Sequence, residues 1–186
     1  MPKDIFESEL FGYAKGAFTG AAASKEGFIE RAEDGTLFLD EIGELSDETQ
    51  AKLLRVLESG IYFKLGDTRE RKARFRLITA TNRDLSIPAH RFRRDLYYRI
   101  NGMIFELPRL QDRREDIPLL ALAFLQEANF AYNKEVKAIS EKAMTILKRY
   151  DWPGNIRKLK WCIHRAVATA RKDIIDSVDV TLGPLM

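Results

Sequence analysis

Up to about Pro108 the chain alternates short continuous apolar stretches with segments of helical spacing. Thr36-Leu37-Phe38-Leu39 is such a stretch and reads as a buried strand; Gly35 precedes it, and Asp40 and Glu41 end it. Ser46 then opens a helix, with Asp47 and Glu48 in the first turn, where the helix dipole favours negative charge. Leu53, Leu54 and Leu57 recur at helical spacing, and Gly60 closes the element. Arg76 to Thr81 reads as a second buried strand, ending at Asn82. Strand, helix and strand in that order predict an α/β fold with a parallel sheet.

Beyond Pro108 helical spacing takes over. Pro118 suits a first helical turn, and Leu119, Leu122, Ala123 and Phe124 follow it. Ser140 caps a second helix carrying Ala143, Leu147 and Tyr150. Trp152-Pro153-Gly154-Asn155 breaks the chain, and a third helix then places Ile156, Leu159, Ile163, Ala166 and Ala170 on one face. The pattern predicts an α/β subdomain over residues 1–108, a small helical domain over 109–173 and a tail, 174–186, that is either a strand or a short arm.

Composition narrows the class. At 186 residues, 45% hydrophobic and 32% charged, the chain has enough apolar sequence for a folded core and is not disordered. A net charge of +3 is too small to argue for nucleic-acid binding. The single cysteine, Cys162, cannot form an internal disulfide and fits a reducing cytosol. His90 and His164 offer no metal-ligand spacing. No apolar run is long enough to span a bilayer, and Met1-Pro2-Lys3-Asp4 does not open a signal peptide.

Ligands of open parallel sheets bind beyond the carboxyl ends of the strands, which is where Asp40 and Glu41 lie. One carboxylate there can hold magnesium bridging nucleotide phosphates, and the next can orient or deprotonate a water. Taken alone, an apolar run ending in two acids is more often a solvated strand terminus. Asn82, ending the second strand, would add an amide beside the acids, although Asn is also a common turn residue. In Gly16-Ala17-Phe18-Thr19-Gly20-Ala21, two glycines around one aromatic permit a tight, mobile tip. Phe18 either packs back on the protein or awaits a partner, since an exposed apolar tip is costly.

Family motifs settle several of these alternatives. ESELFG (Glu7 to Gly12) followed by KGAFTGA (Lys15 to Ala21) resembles the signature loop of bacterial sigma-54-dependent transcription activators. GTLFLDEIGEL (Gly35 to Leu45) resembles their Walker B region, and QAKLLRVLESG (Gln50 to Gly60) the helix after it. RLITATNRDL (Arg76 to Leu85) resembles their sensor I strand, FRRDLYYRI (Phe92 to Ile100) their arginine-finger segment, and WPGNIRKL (Trp152 to Leu159) their sensor II helix. The motifs stand in family order over nearly the whole chain. The resemblance implies a truncated AAA+ parallel-sheet core followed by a helical lid, in a cytoplasmic protein that uses ATP and Mg2+. By the same resemblance Asp40 would hold magnesium, Glu41 would activate water and Asn82 would sense the γ-phosphate. Arg93 and Arg99 would reach the nucleotide of a neighbouring subunit, and Arg157 would contact phosphates in cis. Residues 16–21 would press on sigma-54, with Phe18 and Thr19 at the contact. A homo-oligomeric ring, usually a hexamer, would then remodel sigma-54 RNA polymerase.

The chain also departs from the family pattern. No G-x-x-x-x-G-K-[ST] occurs in it; in the family that phosphate cradle lies upstream of ESELFG. Weak or no ATP binding, no hydrolysis, exposed sheet edges and poor stability as a monomer are expected of the chain alone. Gln111, Lys158, Trp161 and Arg94 replace the usual Arg, Glu, Asn and an acid, which should disturb domain-interface pairings more than catalysis. The alternative function is a non-catalytic subunit that binds sigma-54 or a complete AAA+ partner. No helix-turn-helix pattern is visible, so direct DNA contact is not expected.

Overall fold

The computed structural model describes residues 3–86 and 91–183. His90 lies outside them. The chain divides into two compact units, Met1–Ile104 and Phe105–Met186.

In the first unit, α1 (Lys3–Phe11) leads into a short antiparallel hairpin, β1 (Gly12–Tyr13) and β2 (Lys25–Glu26), with the signature loop between the two strands. After α2 (Phe28–Arg31), β3 (Thr36–Leu39) pairs in parallel with β6 (Arg76–Thr79), Phe38 opposite Ile78. Between them run α3 (Asp47–Ser59) and the antiparallel pair β4 (Ile61–Tyr62) and β5 (Arg71–Lys72); α4 (Arg94–Ile100) follows. Local chemistry sets the limits of α3. The Ser46 hydroxyl accepts from the Thr49 N–H at 3.2 Å, and Gly60 ends the helix in the left-handed region at φ 72°, its N–H donating to Val56. The helix buries Leu53, Leu54 and Val56 in a core shared with Leu10, Phe11, Ile29, Leu37 and Leu96, while Leu57 is only partly buried.

Two expectations about the strands are corrected. The second strand stops at Thr79, and Asn82 lies in the bend that follows. Burial is also one-sided: Leu37 and Leu39 are buried, but Phe38 is 58% and Ile78 41% exposed. A parallel sheet normally has both faces covered; here, among the described residues, the Phe38–Ile78 face is open.

The second unit is helical. It comprises α5 (Ile117–Tyr132, with Pro118 in its first turn), α6 (Glu141–Arg149, capped by Ser140 accepting from the Ala143 N–H at 3.1 Å) and α7 (Asn155–Thr169). Leu125, Leu147, Leu159, Ile163 and Ala166 form its core. The tail opens with a two-residue strand, β8 (Ile174–Ile175), which pairs in parallel with β7 (Ala138–Ile139), and a 3-10 turn, Ser177–Asp179, follows; Ile175 is fully buried. Lys158, expected to disturb an interface, is instead buried within this unit. Its ammonium donates to the Tyr150 hydroxyl at 2.8 Å and lies 5.0 Å from the centre of that ring. No helix among the described residues is long and apolar enough to cross a membrane.

Candidate nucleotide-facing site and signature loop

The backbone places the two acids immediately past β3. Ala80 N–H donates to Leu39 O at 2.9 Å and Ile42 N–H to Ala80 O at 3.0 Å, so the chain segments stay tied beyond the strands. Between these bonds Glu41 adopts a left-handed conformation at φ 53°, an uncommon state for a residue with a side chain. The Asp40 carboxylate steadies the turn by accepting the Glu41 N–H at 2.9 Å. Glycine is needed two residues on. A Cβ at Gly43 would lie 3.1 Å from both the Thr81 hydroxyl and the Leu85 side chain, so the segment after β6 can close over the turn. Arg83 reinforces this closure through Gly43 O at 3.3 Å and an ion pair with Glu44.

The outcome is a contact between residues far apart in sequence: the Asn82 amide donates to the Glu41 carboxylate at 3.4 Å. Asp40, Glu41 and Asn82 are a carboxylate, a second carboxylate and an amide clustered at the carboxyl ends of parallel strands. Asp40 and Glu41 are both exposed. The set suits magnesium held by one carboxylate plus phosphates and water, since magnesium keeps most of its water and uses few protein ligands. No group of three or more His, Cys, Asp or Glu that could hold a metal ion occurs among the described residues. No G-x-x-x-x-G-K-[ST] motif occurs in these 186 residues.

Arg93 and Arg99 are engaged within their own unit. Arg93 precedes α4 and forks onto Asp95 at 3.1 and 2.7 Å. The hydrogen bond and charge of Asp95 hold the guanidinium further toward its charged form, and Arg93 holds the Asp95 carboxyl below its ordinary range. Arg99, in the last turn of α4, donates twice to Leu57 O, at 3.2 and 2.5 Å. Arg157 is exposed in the first turn of α7 and has no ion pair among the described residues. Reading the sequence missed Gln50 as a positioning group. It is 1% exposed, donates to Leu45 O at 2.9 Å and accepts the Arg93 N–H at 2.8 Å. An amide one turn before the buried leucines of α3 was the available signal.

The signature loop is held by its own backbone. Gly16 N–H donates to Ala21 O at 2.9 Å and Ala21 N–H to Phe18 O at 3.0 Å, while Gly16 and Gly20 take positive φ of 83° and 102°. Phe18 is 48% exposed and leans edge-on against Tyr13, ring centres 5.0 Å apart. It is therefore neither buried in the interior nor free of support. Thr19 and Gly20 are exposed.

Comparisons with known proteins identify the family. Residues 1–106 match the sigma-54 interaction domain and residues 111–182 the AAA+ ATPase lid domain. The phenol regulator MopR of Acinetobacter guillouiae is 51% identical over 168 residues, covering 89% of this chain and 30% of that protein. The Nif-specific regulatory protein of Herbaspirillum seropedicae is 46% identical over 180 residues, 96% of this chain and 33% of that one. The regulatory protein AtoC of Escherichia coli K12 is 47% identical over 182 residues, 97% and 40% respectively. Crystal structures of NtrX from Brucella abortus superpose with a TM-score of 0.87 at 31% identity, covering 99% of this chain and 42% of NtrX. In complex with ATP, the NtrX match has a TM-score of 0.84 at 30% identity. The chain thus spans roughly a third of the length of these curated relatives, between 30% and 40%. Strand-end acids, the glycine-flanked aromatic loop, the helical second unit and these matches lead to one assignment: the chain belongs to the bacterial sigma-54-dependent transcription activators and corresponds to part of their AAA+ portion.

Proposed function

We propose that the chain is the sigma-54-contacting module of an activator in which ATP hydrolysis within a ring, usually a hexamer, remodels sigma-54 RNA polymerase. The observation that carries this reading is the pairing of Glu41 with Asn82 at the strand ends, together with a half-exposed Phe18 on a separate loop. Asp40 would hold magnesium, which when bound would supply positive charge at the phosphates. Glu41 accepts a proton from, or orients, the attacking water, and the Asn82 amide fixes the carboxylate that does so. Arg93 and Arg99 serve a neighbouring subunit after leaving Asp95 and Leu57 O, and Arg157 meets phosphates from the lid. Phe18 and Thr19 make the protein contact, in a cytoplasmic setting without direct DNA binding by this chain.

The test is binding to sigma-54 by surface plasmon resonance. The chain binds and Phe18→Ala weakens binding at least about tenfold, as expected for an exposed aromatic anchor. Equal binding by the two forms, or none by either, sinks the proposal.

A second reading draws on the exposure of Arg93 and Arg99: a non-catalytic subunit that contacts sigma-54 or a complete AAA+ partner, to which it lends these arginines. Calorimetry with ATP, with and without a complete homologous subunit, separates the two. Nucleotide binding by the chain alone removes the second reading; an altered turnover of the partner without intrinsic binding supports it.

A further inference from the structure

Gln50 is a polar side chain of α3 that is 1% exposed. Buried polar groups are held by partners, and Gln50 has three of them on two segments. Its amide donates to Leu45 O at 2.9 Å and to Arg91 O at 3.4 Å, and its side-chain carbonyl accepts the Arg93 N–H at 2.8 Å. The position demands a donor and an acceptor together. An amide supplies both without charge, whereas an ionised carboxylate only accepts and an ammonium only donates.

The two segments that Gln50 joins carry different parts of the site. Leu45 closes the short turn that begins at Glu41: Glu44 N–H donates to Glu41 O at 2.9 Å and Leu45 N–H to Ile42 O at 3.3 Å. Arg91 and Arg93 lead into α4, and Arg93 forks onto Asp95. Each segment holds a left-handed residue with a side chain, Glu41 at φ 53° and Arg91 at φ 51°. Such conformations persist only where the surroundings over-determine them. Phe92, 8% exposed, anchors the second segment in the core, and Gln50 ties it to the first. When the turn at Glu41 relaxes, Leu45 O moves. The amide follows it and the Arg93 N–H follows the amide, because hydrogen bonds within one buried network adjust together.

We propose that Gln50 is a positioning residue that couples the turn bearing Glu41 to the segment bearing Arg93, so that a change at the strand-end acids resets the arginine offered to a neighbouring subunit. That task for Arg93 rests on the proposed function. The coupling itself belongs to this chain and is measured without nucleotide.

Amide and Arg Nε–H resonances of the 15N-labelled full chain are compared for the wild type, Glu41→Gly, Gln50→Met and the double variant. Glycine relieves the left-handed strain at residue 41. In the wild-type background Glu41→Gly moves the Gln50 side-chain amide, the Arg93 N–H and the Arg93 Nε–H. In the Gln50→Met background it moves Leu45 and leaves both Arg93 signals in place, a non-additivity that a side chain serving stability alone does not produce. Gln50→Glu keeps an acceptor for Arg93 and loses the donor to Leu45; it behaves as Gln50→Met and replaces it where the methionine form does not fold. The proposal is overturned if Glu41→Gly leaves Arg93 unmoved in the wild-type background, a result that needs neither Gln50 variant. It is also overturned if Arg93 moves equally with and without the Gln50 amide. Binding to sigma-54 separates the two readings: a chain that binds but shows no such shifts loses the coupling alone, and one that shows the shifts but does not bind loses the proposed function alone.

Discussion

Lys158 shows how one side chain can be accommodated where its charge has no counter-ion among the described residues. Its ammonium is buried with the Tyr150 hydroxyl as acceptor and the Tyr150 ring alongside, and that hydroxyl in turn donates to Leu182 O at 3.0 Å. Removing the hydroxyl orphans both ends of the relay. Tyr150→Phe should therefore cost about 1–3 kcal/mol in urea unfolding, and Lys158→Met distinctly less, because it removes the buried charge along with its need for a partner. Tyr62 makes a pH prediction. Burial first, and the Glu30 carboxylate second, push its phenol from 10.0 up to about 12. Below pH 10 the phenol is neutral in both states and stability is unaffected. Between pH 10 and about 12 the unfolded chain loses the proton while the native protein keeps it, so stability falls as pH rises. Thermal melts across that window should show a drop that Tyr62→Phe reduces.

Elements are delimited by caps and glycines whose roles differ. Ser46→Ala deletes the side-chain acceptor for the Thr49 N–H and should destabilise α3 by about 1 kcal/mol in denaturant titration. Gly27 faces a harder constraint. A Cβ there would lie 2.4 Å from Gly12 N and Phe11 C and 2.5 Å from Leu10 O, all backbone atoms. Gly12 itself sits at φ 72°. These two glycines let the strands flanking the signature loop close together. Gly27→Ala is expected to cost about 2 kcal/mol or more and to broaden the loop amides in NMR spectra, whereas Gly20→Ala, with nothing within 4 Å of the added carbon, strains only its own φ.

On the scale of the molecule, two cores carry the fold, one around Leu37, Leu53 and Leu96 and one around Leu125, Leu147 and Ile163. A cavity cut into one should be felt there first. Leu147→Ala, at a fully buried position, should destabilise the second unit by about 2–5 kcal/mol and strip hydrogen-exchange protection from α5 and α7. Protection of α3 and β3 is expected to stay. Loss of protection in both units at once would show that they unfold as one.

The limits of α3, the start of α6, the α/β order of the first unit and the helical second unit were all readable from the chain, because caps, terminal glycines and apolar spacing act over a few residues. The family followed from motifs such as GAFTGA and GTLFLDE for the same reason: each is a local string. Tertiary structure decided what no string encodes. It set the Asn82 contact with Glu41 across 41 positions, the tether of Arg99 to Leu57 O, and the hold of Gln50 on Arg93. It also turned Lys158 inward and left Phe38 in the open, although the sequence pattern alone pointed the other way. Each of these depends on which surfaces two distant segments present to one another, and that is fixed only when the elements pack.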